Sequence, residues 1–290
     1  MSVATAGGTM TREKVTRERL LADLCALGVR SGQTLLVHAS LRQIGWVDGG
    51  APVVVDVLRE ALGPDGTLVA GAGTPENSMT SRTFQSATDG FTPAQVVGFR
   101  GRMPAFDREN TPTSVGAVAE AVRTARGAVR SDHPQSSFSA VGRHARALMD
   151  GHRVDCHLGE ESPLAKLYDK DASILLLGVG YETCTAFHLA EYRYTAQPPM
   201  QTYSCVVATR GKRHWLTYQD VVLDDGEFDI IGKSLEEKIT VPCCNIGKAP
   251  SRLFPLRLAV DFATEWLMDR RSVAQCERGS EIFPTLGAFA

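Results

Sequence analysis

Apolar positions along this chain follow two rhythms. After Thr16-Arg-Glu-Arg19, the residues Leu20, Leu21, Leu24 and Leu27 recur at helical spacing, and Gly28 stops the run. Leu35 to His38 is a short apolar strand. Val53 to Leu62 is a helix with apolar positions at 54, 57, 58 and 61, closed by Gly63-Pro64. Thr67 to Ala70 is a second buried strand. Helix, strand, helix and strand joined by short connections predict α/β layering. Farther on, helices are expected over Val115–Arg126, Ala140–Met149, Ser162–Tyr168 and Thr185–Tyr194, with Pro163 at the first turn of the third. Ser173 to Gly178 reads as a strand buried on both faces. Thr202–Thr209 and Lys212–Thr217 predict a hairpin turned at Arg210-Gly211, and Arg257–Arg270 a closing amphipathic helix.

Two stretches break the rhythm. Residues 71–101 are polar and rich in turn formers, the signature of a functional loop. Residues 128–137 form a second loop dense in polar groups. With no internal repeat and no linker, residues 12–290 read as one domain behind an unstructured leader over 1–11.

Composition narrows the functional classes. Hydrophobic residues make up 43% and charged residues 22%, an ordinary globular balance. A net charge of -2 argues against nucleic acid as the main partner. The longest strongly apolar run, Ile174 to Val179, is far short of the roughly 20 residues that span a bilayer. Met1 to Thr11 lacks a signal-peptide stretch. A cytoplasmic protein, monomeric or homodimeric and with no membrane partner, is therefore expected. The seven Cys are odd in number and scattered, with no C-x-x-C pair, so reduced thiols and no bound metal are expected.

Several catalytic motifs are absent: no G-x-S-x-G elbow, no H-E-x-x-H and no P-loop. Gly178-Val-Gly180 follows a strand, but Thr183 stands where the dinucleotide fingerprint needs Gly. The segment Leu175–Arg193 holds the most chemistry. A buried strand ends in Gly-Val-Gly, and a polar turn delivers Thr185, His188 and Glu191 to the start of a helix. Ligands of α/β sheets sit at such strand ends. Glu191 follows His188 by one helical turn, so the two share a face. A carboxylate beside an imidazole orients it and raises its basicity; a surface ion pair fits the same spacing.

Val37-His-Ala-Ser-Leu41 also follows a strand. Its backbone N–H groups and Ser40 suit a phosphate or amide, or an ordinary capped turn. Arg130-Ser-Asp-His-Pro-Gln-Ser-Ser-Phe138 offers Arg130 and Ser131 for phosphate oxygens and Phe138 as an apolar wall; a solvated loop is the plainer reading.

Taken together with Gly159-Glu-Glu-Ser-Pro163, these segments resemble the aminoglycoside 3-N-acetyltransferases, an antibiotic N-acetyltransferase family distinct from the common N-acetyltransferase superfamily. The resemblance runs from about Thr16 to Met268. It is carried by LLVHASLRQIGWVDGG (35–50), LGPDGTLV (62–69), TPENSMTSR (74–82), MPAFDRENTPTS (103–114), RSDHPQSSFSAVG (130–142), GEESPLAKLY (159–168), LLLGVGYETCTAFHLAEYR (175–193) and SRLFPLRLAVDFATEWL (251–267).

The resemblance implies a three-layer α/β/α fold on a central mixed sheet, acetyl-CoA as donor, and direct transfer in a ternary complex. It marks His188 as the general base. It places the coenzyme near His38, Ala39, Ser40 and Leu41 and along Arg130, Ser131, His133, Ser137 and Phe138. Glu191, from its spacing, would orient His188, and Thr185 or a backbone N–H of the Val37–Ser40 turn would face the oxyanion. An aminoglycoside is a polycation, so its pocket should be rich in carboxylates; Glu76, Asp89, Glu182, Asp224, Asp225, Glu227 and Asp229 are the loop candidates. The expected reaction is acetylation of the 3-amino group of a 2-deoxystreptamine ring, conferring antibiotic resistance. The alternative is a biosynthetic transferase of the same family acting on another amine. The chain departs from the family in having Glu182 where Asp or Asn is common, and in its 74–98 loop, a segment that varies widely there.

Overall fold

A computed structural model describes residues 14–280, with side chains as far as Arg271; the leader expected over 1–11 lies outside the described residues. The strands are β1 (Lys14–Val15), β2 (Thr34–Ala39), β3 (Trp46–Val47), β4 (Thr67–Gly71), β5 (Val129–Arg130), β6 (Phe138–Gly142), β7 (Ser173–Leu177), β8 (Met200–Thr209), β9 (Lys212–Val221), β10 (Cys243–Ile246) and β11 (Ala249–Pro255). The helices are α1 (Arg17–Leu27), α2 (Leu41–Ile44), α3 (Gly50–Leu62), α4 (Arg82–Thr88), α5 (Pro93–Arg102), α6 (Ala117–Arg123), α7 (Ala145–Met149), α8 (Pro163–Asp169), α9 (Phe187–Arg193), α10 (Phe228–Lys238) and α11 (Leu256–Ser280). Short 3-10 turns occupy Pro75–Asn77 and Tyr181–Thr183.

Seven strands form the central sheet in the order β10-β11-β7-β2-β4-β6-β5. The middle three, β7, β2 and β4, run parallel, and their outer neighbours β11 and β6 are antiparallel to them. The sheet is therefore mixed. Its strands are apolar without alternation because both faces are covered. Leu36, Val69, Ile174 and Leu176 pack into one core with α7 to α11. Leu35, Val37, Leu68, Leu175 and Leu177 pack into a second core with α1, α3 and α6. The result is three layers, α/β/α, as expected. Hairpin β8–β9 stands apart as a two-stranded sheet with its own small apolar cluster of Phe106, Cys205 and Val207.

Local structure differs from the sequence pattern in four places. Residues 71–101 are not one loop: they carry the first 3-10 turn, α4 and α5. α5 opens on a Thr92/Gln95 capping box with Pro93 in its first turn, but neither helix buries a residue, so no apolar period announces them. The helix expected over 140–149 is β6 followed by α7. Ala140 faces one core and Val141 the other, a strand's alternation. β5 lies inside the polar loop read over 128–137. α10, β10 and β11 arise where no element was expected.

Candidate active site

The carboxyl ends of β2, β4 and β7 open on the same edge of the sheet. β2 sends the chain to β4 on one side, and β7 flanks it on the other. This is the crevice in which open α/β sheets bind ligands. Three depressions run along it and share Val115. The first, about 640 Å³, is lined by Ala39, Ser40, Leu41, Trp46, Gly116 and Val179. The second, about 270 Å³, lies over His38, Gly71, Thr183 and Thr185. The third, about 510 Å³, is lined by Ser78, Arg82, Gln135, His188, Tyr203 and Asp225 among others. A further hollow near Arg17 and Gly142 lies at the opposite edge of the sheet and holds none of the candidate residues.

α9 sets the chemistry of the third depression. Phe187, Leu189 and Ala190 are fully buried and anchor it to the core. His188 and Glu191 share the remaining face. His188 Nδ1 lies 2.6 Å from Glu191 Oε2. Glu191 is 0% exposed, yet its charge is well supported. Its other oxygen accepts the Asp224 N–H at 2.9 Å and Arg271 Nη1 at 3.0 Å. A buried carboxylate is tolerable only with such partners. With Nδ1–H donated to Glu191, the imidazole keeps its Nε2 lone pair on the cavity side. The Phe228 ring meets it edge-on at 4.6 Å and limits its rotation. Thr185 accepts the His188 backbone N–H at 3.1 Å and faces the second depression. Thr185, His188 and Glu191 are thus brought together by one turn and one helix.

The two segments expected at the coenzyme fare differently. Ala39, Ser40 and Leu41 line the first depression and His38 the second. Burial holds the His38 imidazole neutral, down at about 4, and its Nε2 has no hydrogen-bond partner among the described residues. In contrast, Arg130, Ser131, His133, Ser137 and Phe138 are buried behind the crevice. Arg130 donates to Ser137 Oγ at 2.9 Å, Ala72 O at 2.7 Å and Thr111 O at 2.5 Å. Burial lowers its guanidinium to about 10, so it stays charged. Ser131 Oγ is 2.9 Å from His152 Nδ1 and accepts the Phe138 N–H at 2.9 Å. His133 Nδ1 accepts the N–H groups of Gln135 and Ser136. These side chains tie the rim together, and Gln135 is the member of that loop that reaches a cavity.

The acidic candidates are also dispersed. Glu76 and Asp89 are exposed and line none of the three depressions. Glu182 folds back to accept the Gly180 N–H at 3.1 Å. Asp224 accepts the Gly226 N–H, Glu227 pairs with Arg271 at 2.9 Å, and Asp229 pairs with Lys233. Among the described residues, Asp225 is the carboxylate on the wall of the third depression, and Arg82 grips it with both terminal nitrogens. That partner holds the Asp225 carboxyl below the usual range. Among the described residues no cluster of His, Cys, Asp and Glu could hold a metal ion.

A family profile described as aminoglycoside 3-N-acetyltransferase matches residues 36–268. The chain belongs to that family. It is 36% identical over 273 residues to aminoglycoside N(3)-acetyltransferase VIII of Streptomyces fradiae, covering 88% of this chain and 93% of that one. The crystal structure of YokD from Bacillus subtilis superposes with a TM-score of 0.83 at 34% identity, over 90% of this chain and 96% of that one. AAC-IIIb, solved as a binary complex with CoASH, gives a TM-score of 0.76 at 28% identity, over 89% and 98%. This member of the aminoglycoside 3-N-acetyltransferases is accordingly an acyltransferase of the acetyl-CoA-dependent kind.

Several residues that line the third depression escaped sequence reasoning. Arg82, Gln135 and Tyr203 come from three separate elements, and nothing in their local spacing links them. Behind them lies a buried polar network. Asp220, 3% exposed, accepts His157 Nδ1–H at 2.8 Å, the His157 N–H at 2.6 Å and Tyr192 O–H at 2.8 Å. Tyr218 Oη connects His157 Nε2, at 3.2 Å, to Gln135 at the cavity wall. Burial keeps His133, His152 and His157 neutral, His152 at about 4. The strand expected over Lys212–Thr217 stops short of Asp220, and β9 runs on to Val221.

Proposed function

We propose that this chain transfers the acetyl group of acetyl-CoA to the 3-amino group of a 2-deoxystreptamine aminoglycoside, inactivating the antibiotic in the cytoplasm. The observation that carries the mechanism is the buried Glu191 carboxylate on His188 Nδ1, which leaves Nε2 toward the third depression. An ammonium has no lone pair with which to attack a thioester. His188 takes a proton to free the nitrogen lone pair, and Glu191 stabilises the imidazolium that results; the amine then attacks the thioester carbonyl, the C–S bond breaks, and the CoA thiolate leaves with the proton given up by the attacking nitrogen. Assistance of this kind is worth on the order of 10²–10⁴-fold in rate.

The crevice supports a division of labour. The first depression, with the half-exposed Trp46 and the apolar Val115 and Val179, suits the coenzyme's pantetheine arm. The second suits the thioester, with the Thr185 hydroxyl beside the carbonyl to meet the oxyanion. The Ser40 N–H is already donated to Leu177 O at 3.0 Å, which favours Thr185 for that role. The third receives the acceptor, with Asp225 for an ammonium and Gln135 and Tyr203 for hydroxyls. His38 and the Ala39–Leu41 turn contact the coenzyme, while Arg130 to Phe138 shape the rim. Attack is direct. Cys184 and Cys205 are buried and pushed up to about 12, which suits core packing better than an acyl carrier.

Purified protein incubated with acetyl-CoA and a panel of 2-deoxystreptamine aminoglycosides tests this reading through free-thiol release and NMR of the product. Acetylation at N3, abolished in His188→Ala with acetyl-CoA affinity retained, is the expected result. Turnover by the His188→Ala protein at the parent rate would remove the base assignment; no turnover on any of these amines would remove the acceptor assignment.

A further inference from the structure

Arg271 reaches back from α11 to the catalytic pair. Its Nη1 lies 3.0 Å from Glu191 Oε1, its Nε 2.9 Å from Glu227 Oε2, and its Nη2 3.3 Å from the Asp224 carbonyl. The Tyr194 ring lies beneath the guanidinium at 5.8 Å. Every nitrogen of the fork is engaged, and the side chain is only 19% exposed. Arg271 also lies beyond residue 268, where the family profile stops matching. We propose that Arg271 is a positioning residue for acetyl transfer: it neutralises the buried Glu191 carboxylate and so sets the pH above which His188 is free to act as base. This inference rests on the reading of His188 given above.

The resting site makes the need plain. Glu191 is fully buried, and a neutral imidazole brings it no charge. The nearby groups are largely acidic: Asp225 and Glu227 from the loop leading into α10. Arg82 of α4 offsets Asp225. His157, held neutral by burial, and the Tyr203 hydroxyl lie within electrostatic range of the pair. Asp220 is engaged by His157 and Tyr192. Among the described residues, Arg271 is thus the cation in contact with Glu191. Without it the carboxylate recovers a countercharge by protonating His188, and the pair holds that proton to higher pH. A protonated His188 cannot accept the acceptor's proton.

The test compares pH profiles of kcat/KM for the parent, Arg271→Gln, Arg271→Lys and His188→Ala, together with NMR titration of the labelled His188 ring. Arg271→Gln should move the acid limb to higher pH by on the order of one unit, a roughly tenfold loss on the acid side that recovers at alkaline pH. The Arg271→Lys variant keeps the charge and should hold the limb near the parent's. A uniform loss at every pH, with an unmoved limb, would mean a merely structural role and overturn the proposal. Should Arg271→Gln fail to fold, Glu227→Gln serves: with its second carboxylate gone, Arg271 acts on Glu191 alone, and the limb should move to lower pH. An unmoved limb there is equally fatal. Full activity in His188→Ala would instead bring down the base assignment itself.

Discussion

Replacing Glu191 by Gln removes one charge and almost no volume, so it isolates what the carboxylate does. In the parent protein Glu191 accepts three hydrogen bonds from three donors: His188 Nδ1, the Asp224 N–H and Arg271 Nη1. The amide retains one oxygen and gains an NH2 group that must face at least one of those donors. Leaving a buried donor unpaired costs about 1–3 kcal/mol, which a thermal melt would read as a lower Tm. The kinetic effect is separate. A hydrogen bond to a charged group is worth about 1.5–3 kcal/mol, and most of that is realised only when His188 becomes an imidazolium in the transition state. At about 1.36 kcal/mol per decade, kcat should fall roughly 10- to 150-fold. The acid limb of the pH profile should move down, because an amide does not stabilise a protonated ring. The assay is free-thiol release from acetyl-CoA across the pH range, with acetyl-CoA affinity measured in parallel. A folded Glu191→Gln protein that turns over at the parent rate at every pH would refute the reasoning.

Three further outcomes follow from the packing. Arg82→Ala should release Asp225 for an acceptor ammonium; the pair is exposed and worth about 0–1 kcal/mol, so KM for the acceptor should fall up to a few-fold with kcat unchanged. Gly232→Ala should destabilise the fold by about 1–3 kcal/mol in urea titration, because a Cβ there would meet Tyr181 Cγ at 1.9 Å, and Tyr181 belongs to the turn that feeds α9. Stability should fall as pH drops through the histidine range. His152 is buried neutral, with its folded-state value near 4 against 6.5 for the free side chain. The unfolded chain therefore takes up the proton first, and stability present above 6.5 is lost progressively toward 4, by roughly 3 kcal/mol for this residue alone.

The layers were legible in the sequence because burial on both faces leaves an uninterrupted apolar run. Leu35 to Val37 and Ile174 to Leu177 are such runs, and both are central strands. His188 and Glu191 were legible for a related reason: one helical turn brings them face to face whatever surrounds them. What failed to show was anything fixed by distant partners. Arg271 meets Glu191 across eighty residues of sequence. The polar string from Arg130 to Ser137 looks like a ligand loop, but most of it is buried: Arg130 donates to the Ala72 and Thr111 carbonyls, and Ser131 Oγ accepts the Phe138 N–H. A string of polar residues reads the same whether water, ligand or backbone satisfies it. β6 was mistaken for a helix because its short Phe-Ser-Ala-Val-Gly run carries too few residues to separate the two periods.

α4 forms part of the outer wall of the third depression through Arg82 and Gln85, yet it places none of its side chains in the core. Substitutions there change the shape and charge of that wall while leaving the sheet and the His188–Glu191 pair untouched. Drift in this helix is thus nearly free of folding cost, so the wall of the depression can be altered here without first acquiring compensating stability. A library confined to Arg82–Thr88 would vary this wall on an almost constant scaffold.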